Sequence, residues 1–165
     1  MITLAVQPLS AEAFRPYGEV IAATDAARHF PINAGNTERY HDLARLEPGP
    51  EGRIIVSLFR GQPRLLPFTV AMMERHPLGS QAFYPLSGLP YLVVVAPPGP
   101  VPTATDVVAF LASGQQGVNY APGTWHHPLL ALDAVCDFLV LDRAGAGPNC
   151  DEIVLSPAAL IPALD

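Results

Sequence analysis

The sequence predicts a mostly β fold, an antiparallel β-barrel or sandwich with a few short helices. Nineteen prolines and thirteen glycines in 165 residues cut the chain into short pieces, the punctuation of strands joined by turns rather than of a helical bundle. Half of the residues are hydrophobic, and the apolar runs between turns are rich in β-branched and aromatic side chains, which suit a pleated surface. A chain of this length supports one domain with a sizeable core, over residues 1–165.

The elements follow in order. Residues 3–7 read as a first strand. Ser10 is placed to cap a short helix over Ala11-Glu12-Ala13-Phe14, which Pro16 ends. Further strands are expected over residues 53–60, 66–74, 81–86 and 91–96. The stretch from Leu92 to Pro98 is the most apolar of the chain, yet far shorter than a bilayer crossing requires. It reads as a buried strand, and the proline-rich stretch 96–105 that continues it reads as a surface loop. Thr105 would cap a second helix over residues 106–113, stopped by Gly114. Strands at 117–120 and 137–142 come next, and a third short helix would open at Ser156 with Pro157 in its first position.

Composition excludes several functions. The formal net charge is -6 and the nine basic residues are scattered, so no phosphate-binding footprint forms and nucleic acid is not an expected partner. All nine are arginine, which rules out Schiff-base and lysine-base chemistry. Cys136 and Cys150 form no CxxC pair, and the N-terminus carries neither a basic segment nor a long apolar run. A cytoplasmic protein with reduced thiols and no membrane partner is the expectation.

The chemistry concentrates in two stretches, Glu74 to Gly88 and Gly123 to Pro128. Glu74 and His76 are two residues apart and project to one face of an extended chain. Gln81 lies seven residues before Gly88, and His126 three after Gly123. This spacing resembles the two cupin motifs, in which a His-x-His pair, a carboxylate and a later His bind a metal inside a barrel. Here Glu74 replaces the first His and Gln81 the carboxylate. Glu74, His76, Gln81 and His126 would offer oxygen and imidazole ligands to nickel, manganese, iron or zinc. Strand alternation sends His126 and His127 to opposite faces, so only one ring should enter the barrel. His126 is favoured. Trp125 reads first as core, with a pocket wall as its second role.

A small carboxylate ligand needs a cation, and arginine supplies a planar fork. Arg39 and His41, in the polar stretch from Asn33 to Leu43, are two candidates. Arg60 is a rival, better aimed inward than Arg75, which should face away if Glu74 and His76 face in. Arg143 would pair at the surface with Asp142 or Asp151.

Five strings carry a closer resemblance: Glu38-Arg39-Tyr40-His41-Asp42-Leu43, Glu74-Arg75-His76-Pro77-Leu78-Gly79 with Gln81-Ala82-Phe83, Gly117-Val118-Asn119-Tyr120, Trp125-His126-His127-Pro128-Leu129 and Asn149-Cys150-Asp151. In order and spacing they resemble the ureidoglycolate lyase family, from Leu9 to about Asp151. The resemblance implies a cupin-like barrel, usually a homodimer, that cleaves ureidoglycolate to glyoxylate and urea late in allantoin and purine breakdown. It also implies association with nickel or another divalent ion, and no organic cofactor.

Ureidoglycolate carries a hydroxyl, a ureido nitrogen and a carboxylate on one carbon. Its breakdown needs a base at the hydroxyl, an acid at the leaving nitrogen and a cation at the carboxylate. His126 or His76 would be the base, Glu74 its orienting partner or the proton donor, and an arginine the anchor. Gln81 and Asn119 would recognise the urea amide, a role that for Gln81 competes with metal ligation. Two other classes remain open at this point: a hydrolase releasing ammonia from the same ureido acid, and a non-catalytic cupin-like domain that only binds a small acid.

Overall fold

The computed structural model of the chain describes residues 1–164. Strands dominate it. The N-terminal stretch forms β1 (Ile2–Thr3) and β2 (Val6–Pro8), and Ser10 caps the single-turn helix α1 (Ala11–Phe14) by accepting from the Ala13 amide at 3.2 Å. After β3 (Gly18–Ile21), a hairpin of β4 (His29–Ile32) and β5 (Thr37–Tyr40) pairs only with itself. Then come β6 (Arg53–Gly61), β7 (Phe68–Arg75), β8 (Gln81–Pro85), β9 (Tyr91–Ala96), β10 (Val108–Ala112) and β11 (Gly117–Tyr120). The chain finishes with β12 (Trp125–His126), β13 (Leu130–Ala131), β14 (Cys136–Ala144) and β15 (Asp151–Ile161).

Two sheets carry the architecture. One runs β1-β15-β7-β12-β9-β10-β2, with β13 also paired to β9, and the other runs β3-β11-β8-β14-β6. Pairing is antiparallel except for β1 with β15 and β10 with β2. The sheets curl and pack into a cupin-like β-sandwich, the class the turn-rich sequence predicts.

β9 shows why the sheets hold together. All six of its residues are buried, and they alternate between two cores. Tyr91, Val93 and Val95 pack with Phe83, Val118 and Phe138 of the opposing sheet. Leu92, Val94 and Ala96 join Val70, Trp125, Leu155 and Ile161 on the other face. A strand covered on both sides needs an unbroken apolar run, and Tyr91-Leu92-Val93-Val94-Val95-Ala96 is one.

The structure corrects three element assignments. The helix expected over residues 106–113 is strand β10, preceded by one 3-10 turn at Ala104–Asp106. Its cap is Thr103 rather than Thr105: the Asp106 carboxylate accepts from the Thr103 amide at 2.8 Å and from its hydroxyl at 2.7 Å. Pairing with β9 on one side and β2 on the other overrides the helical signal, because Val108, Phe110 and Ala112 gain a core face only when extended. The helix expected at Ser156 is instead the middle of β15, where the register against β7 shifts between Val154 and Ala159. Pro157 has no N–H to give a ladder, and the irregularity accommodates it. The strand expected over residues 3–7 is divided into β1 and β2, which pair with β15 and β10 respectively.

Candidate active site

Five side chains approach one another from the two sheets. Glu74 on β7 and His126 on β12 are direct cross-strand partners, so both leave their sheet on the same face. Gln81 on β8 and Tyr120 on β11 are partners in the facing sheet. His76 lies one residue beyond the end of β7. Alternation along β12 separates the two aromatic residues: His126 sits opposite Val95 of the inter-sheet core, whereas Trp125 sits opposite Ala96 in the other cluster. A turn through Gly123, whose φ of +79° strains any L side chain, delivers Thr124 and β12 to this position. The Gly123 amide is tied to the His76 carbonyl at 2.9 Å.

Hydrogen bonds set the chemistry of both histidines. The Nδ1 of His126 lies 3.1 Å from the Thr124 carbonyl oxygen, and that of His76 lies 2.8 Å from the Asn149 carbonyl oxygen. A carbonyl can only accept, so Nδ1 carries the proton in each ring and Nε2 is the free lone pair. His126 Nε2 faces Glu74 Oε1 at 3.3 Å, and His76 Nε2 faces Gln81 Oε1 at 3.0 Å. The orientation of Gln81 is settled by its amide group, which donates to Asp142 Oδ2 at 3.0 Å. Four acceptors therefore converge, and acceptors that face each other require a proton or a cation between them. Glu74, His76 and His126 present ligand atoms that all lie within 4.8 Å of one another, a donor set of imidazole and carboxylate that fits a divalent transition metal.

Burial tunes these groups. His126 is 1% exposed, and the loss of solvent pushes its pKa below the ordinary histidine value, although the Glu74 carboxylate works in the opposite direction. Burial alone would raise the carboxyl of Glu74, but the hydrogen bond and charge of His126, with the charge of His76, outweigh it and hold the carboxyl below its usual range. The Tyr120 ring stacks on His126 with centroids 4.3 Å apart and an 11° interplanar angle.

A cavity of approximately 320 Å³ opens beside this cluster. Glu74, Gln81, Tyr120 and His126 line it together with Phe83, and Arg60 stands at its rim. His127 also borders the cavity, but its ring packs edge-on against Phe68 at 5.3 Å, on the side of the Trp125 cluster. Cys150 adds a thiol at 3.7 Å from the second carboxylate oxygen of Glu74.

The other sequence candidates lie elsewhere. Asn119 projects from the opposite face of β11 and is committed there, donating to Glu19 Oε2 at 3.0 Å and to the Arg45 carbonyl at 2.9 Å. Urea recognition by Asn119 is thereby corrected. Trp125 is core, 1% exposed, its indole N–H bonded to the Pro100 carbonyl at 3.0 Å and its face covered by Arg75 at 4.5 Å. Arg75 does face away from the site, paired with Asp151 at 2.8 Å. Arg39 is exposed on β5, and His41 lines a separate groove with Arg28. Arg60 makes a forked bond to Asp137 at 2.8 and 3.0 Å. Arg143 pairs with neither expected aspartate; it donates to Asn149 Oδ1 and to the Pro50 and Ala146 carbonyls, holding the loop that supplies the partner of His76.

Tyr120, Asp142 and the Asn149 carbonyl are the site members that residue patterns left without a role. Only the strand register brings them in, and a single sequence carries no signal for register between distant strands.

The comparisons with known proteins agree with this geometry. The chain is 58% identical over 153 residues to a ureidoglycolate lyase of Burkholderia mallei, covering 92% of this chain and 89% of the relative. Against a ureidoglycolate lyase of Azotobacter vinelandii the identity is 56% over 153 residues, covering 92% of each. A ureidoglycolate lyase of Pseudomonas fluorescens is 54% identical over 153 residues, with 92% and 91% covered. The family described as ureidoglycolate lyase matches residues 1–162, a span that includes both strand pairs of the site, and the chain therefore belongs to the ureidoglycolate lyase family.

Proposed function

We propose that this chain is a lyase that cleaves ureidoglycolate to glyoxylate and urea, within allantoin and purine breakdown. The observation that supports it best is the meeting of Glu74, His76, Gln81 and His126 beside a cavity suited to a small acid, in a chain that matches ureidoglycolate lyases over nearly its whole length.

The reaction breaks one carbon–nitrogen bond and forms one carbonyl. His126 Nε2, with its lone pair free and the Glu74 carboxylate at 3.3 Å, takes the proton of the substrate hydroxyl. Glu74 stabilises the imidazolium that results. As the oxygen lone pair closes the carbonyl, the electron pair of the carbon–nitrogen bond stays on nitrogen, and the same proton passes to the departing urea. The proton balance closes within the site. Arg60, at the rim, is the nearest guanidinium for the substrate carboxylate and would share its fork between that group and Asp137. Gln81, anchored by its amide on Asp142, presents Oε1 3.0 Å from His76 Nε2.

Glu74, His76 and His126, with Gln81 beside them, would hold a divalent ion such as nickel, and such an ion supplies Lewis acidity that lowers the pKa of the substrate hydroxyl. With an ion bound, His126 would serve as a ligand, and Glu74 would keep a second carboxylate oxygen, 3.7 Å from the Cys150 thiol, able to accept a proton.

One incubation tests reaction and metal together. Purified protein with ureidoglycolate, before and after exhaustive chelation, is assayed for glyoxylate, urea and ammonia. Equal glyoxylate and urea without ammonia is the expected result; ammonia would mean a hydrolase, and no turnover would mean a binding domain. Loss of activity on chelation, restored by nickel or another divalent ion, is expected for the metal-assisted route.

The working form is a homodimer in the cytoplasm, built from one domain per chain. Val56 and Leu58, 66% and 69% exposed on the edge strand β6, favour a second copy of this chain as their cover.

A further inference from the structure

Tyr120 occupies the centre of the site without a described role. Its ring lies flat on His126, it borders the cavity with Glu74, and its cross-strand partner is Gln81. The ring is nearly enclosed, 7% exposed, and its phenol is an O–H donor at neutral pH. Tyr91, the other tyrosine of the cavity wall, spends its hydroxyl on the Gln116 carbonyl at 2.7 Å. Among the described residues, no side-chain hydrogen bond engages the hydroxyl of Tyr120.

With no protein partner and its ring on the cavity wall, the hydroxyl is free to donate to a group bound there. The neighbouring polar side chains are engaged elsewhere: His126 and Glu74 face each other, Gln81 lies between His76 and Asp142, and Arg60 is a donor itself. A ligand that brings a carbonyl or oxyanion next to the cluster can accept this hydrogen bond.

We propose that Tyr120 is a further catalytic residue of this site, its hydroxyl donating a hydrogen bond to the ureido carbonyl oxygen of the substrate. The inference rests on the lyase reading above and names a donor that reading lacks. When the carbon–nitrogen bond breaks, the electron pair left on nitrogen delocalises onto the ureido carbonyl oxygen before the nitrogen is reprotonated. A neutral donor fixed there stabilises charge that exists in the transition state and hardly in the ground state. Tyr120 gives up no proton; the hydroxyl proton travels by the base already named. Stacking on His126 places the donor on the same side of the cavity as the base, so both act on one substrate.

The test is Tyr120→Phe, which keeps the stacked ring and removes only an oxygen without a protein partner. Wild-type turnover of ureidoglycolate is measured first, and its absence would sink the lyase reading itself. Given wild-type turnover, Tyr120→Phe should lower kcat by about 10²–10³-fold, the range for loss of one preorganised donor, with KM little changed. Its melting temperature and its affinity for nickel, measured by calorimetry, should match wild type. Placing 3-fluorotyrosine at position 120, which retains the donor, should restore most of kcat. A kcat within twofold of wild type in Tyr120→Phe overturns the proposal. So does a loss confined to KM, or a fall in kcat that the fluorotyrosine protein shares, since ring packing would then be the whole contribution.

Discussion

Two backbone carbonyls decide what His76 and His126 are able to do. By accepting from Nδ1 of each ring, Thr124 and Asn149 turn both Nε2 lone pairs toward Glu74 and Gln81. Replacing His126 with alanine should reduce kcat/KM by about 10²–10⁴-fold, the range for a positioned acid or base, with circular dichroism confirming an intact fold. His76→Ala should abolish stoichiometric binding of nickel or zinc, read by elemental analysis of the dialysed protein. Cys150 behaves differently: partial desolvation of this exposed residue, and then the carboxylates of Glu74 and Glu152, push its thiol pKa up to about 11. Thiolate is accordingly scarce at neutral pH, and peptide mapping should find alkylation of Cys150 by iodoacetamide slower at pH 8 than that of free cysteine, rising toward pH 11. Glu74, His76, Gln81 and His126 were legible in the sequence because each belongs to a short local pattern. Asp142 and Asn149 were not, being 61 and 73 residues from the side chains they orient.

Among the elements, β9 is the one most completely buried, and it was also the easiest to read. A strand with both faces covered has no polar alternation to obscure it, so its apolar run between Pro90 and Pro97 was sufficient. β10 failed for a related reason. Its sequence, Val108-Ala109-Phe110-Leu111-Ala112, is equally compatible with a buried helix, and a threonine upstream tipped the reading toward one. What decides is the neighbour: the ladder from Val108–Val95 to Ala112–Tyr91 commits the segment to the sheet. Phe110, 1% exposed, then packs edge-on against Phe14 at 5.7 Å and against Tyr17 at 6.1 Å. Phe110→Ala should cost about 3–5 kcal/mol, seen as a lower urea midpoint at unchanged m-value. Because Phe110 belongs to the inter-sheet core shared with Tyr120, the same variant should also lose activity as temperature rises, ahead of wild type.

For the whole molecule, the proposed dimer contact falls on β6. It closes one edge of its sheet, and its outward Val56 and Leu58 lie beside Leu141 and Leu139 of β14. Leu58→Glu should shift a dimer to monomer in light scattering while leaving the circular dichroism spectrum unchanged; a dimer that persists would move the interface elsewhere. Arg60 lies at the next-to-last position of the same strand, at the cavity rim, so the proposed interface and substrate access would meet within a few residues. The β class of the molecule was readable from its turns, but the partition of strands into two sheets was not, since it depends on pairings between distant segments. That distance has a consequence for how the protein comes into being. His76 reaches its carbonyl, and Gln81 its carboxylate, only after β14 has settled between β6 and β8 and the loop behind it has closed over Arg143. A growing chain that had passed residue 130 would already hold every metal donor and still hold no catalyst. Long-range closures are the slow part of assembling a β protein, so the first turnover of a newly made molecule marks the completion of its folding.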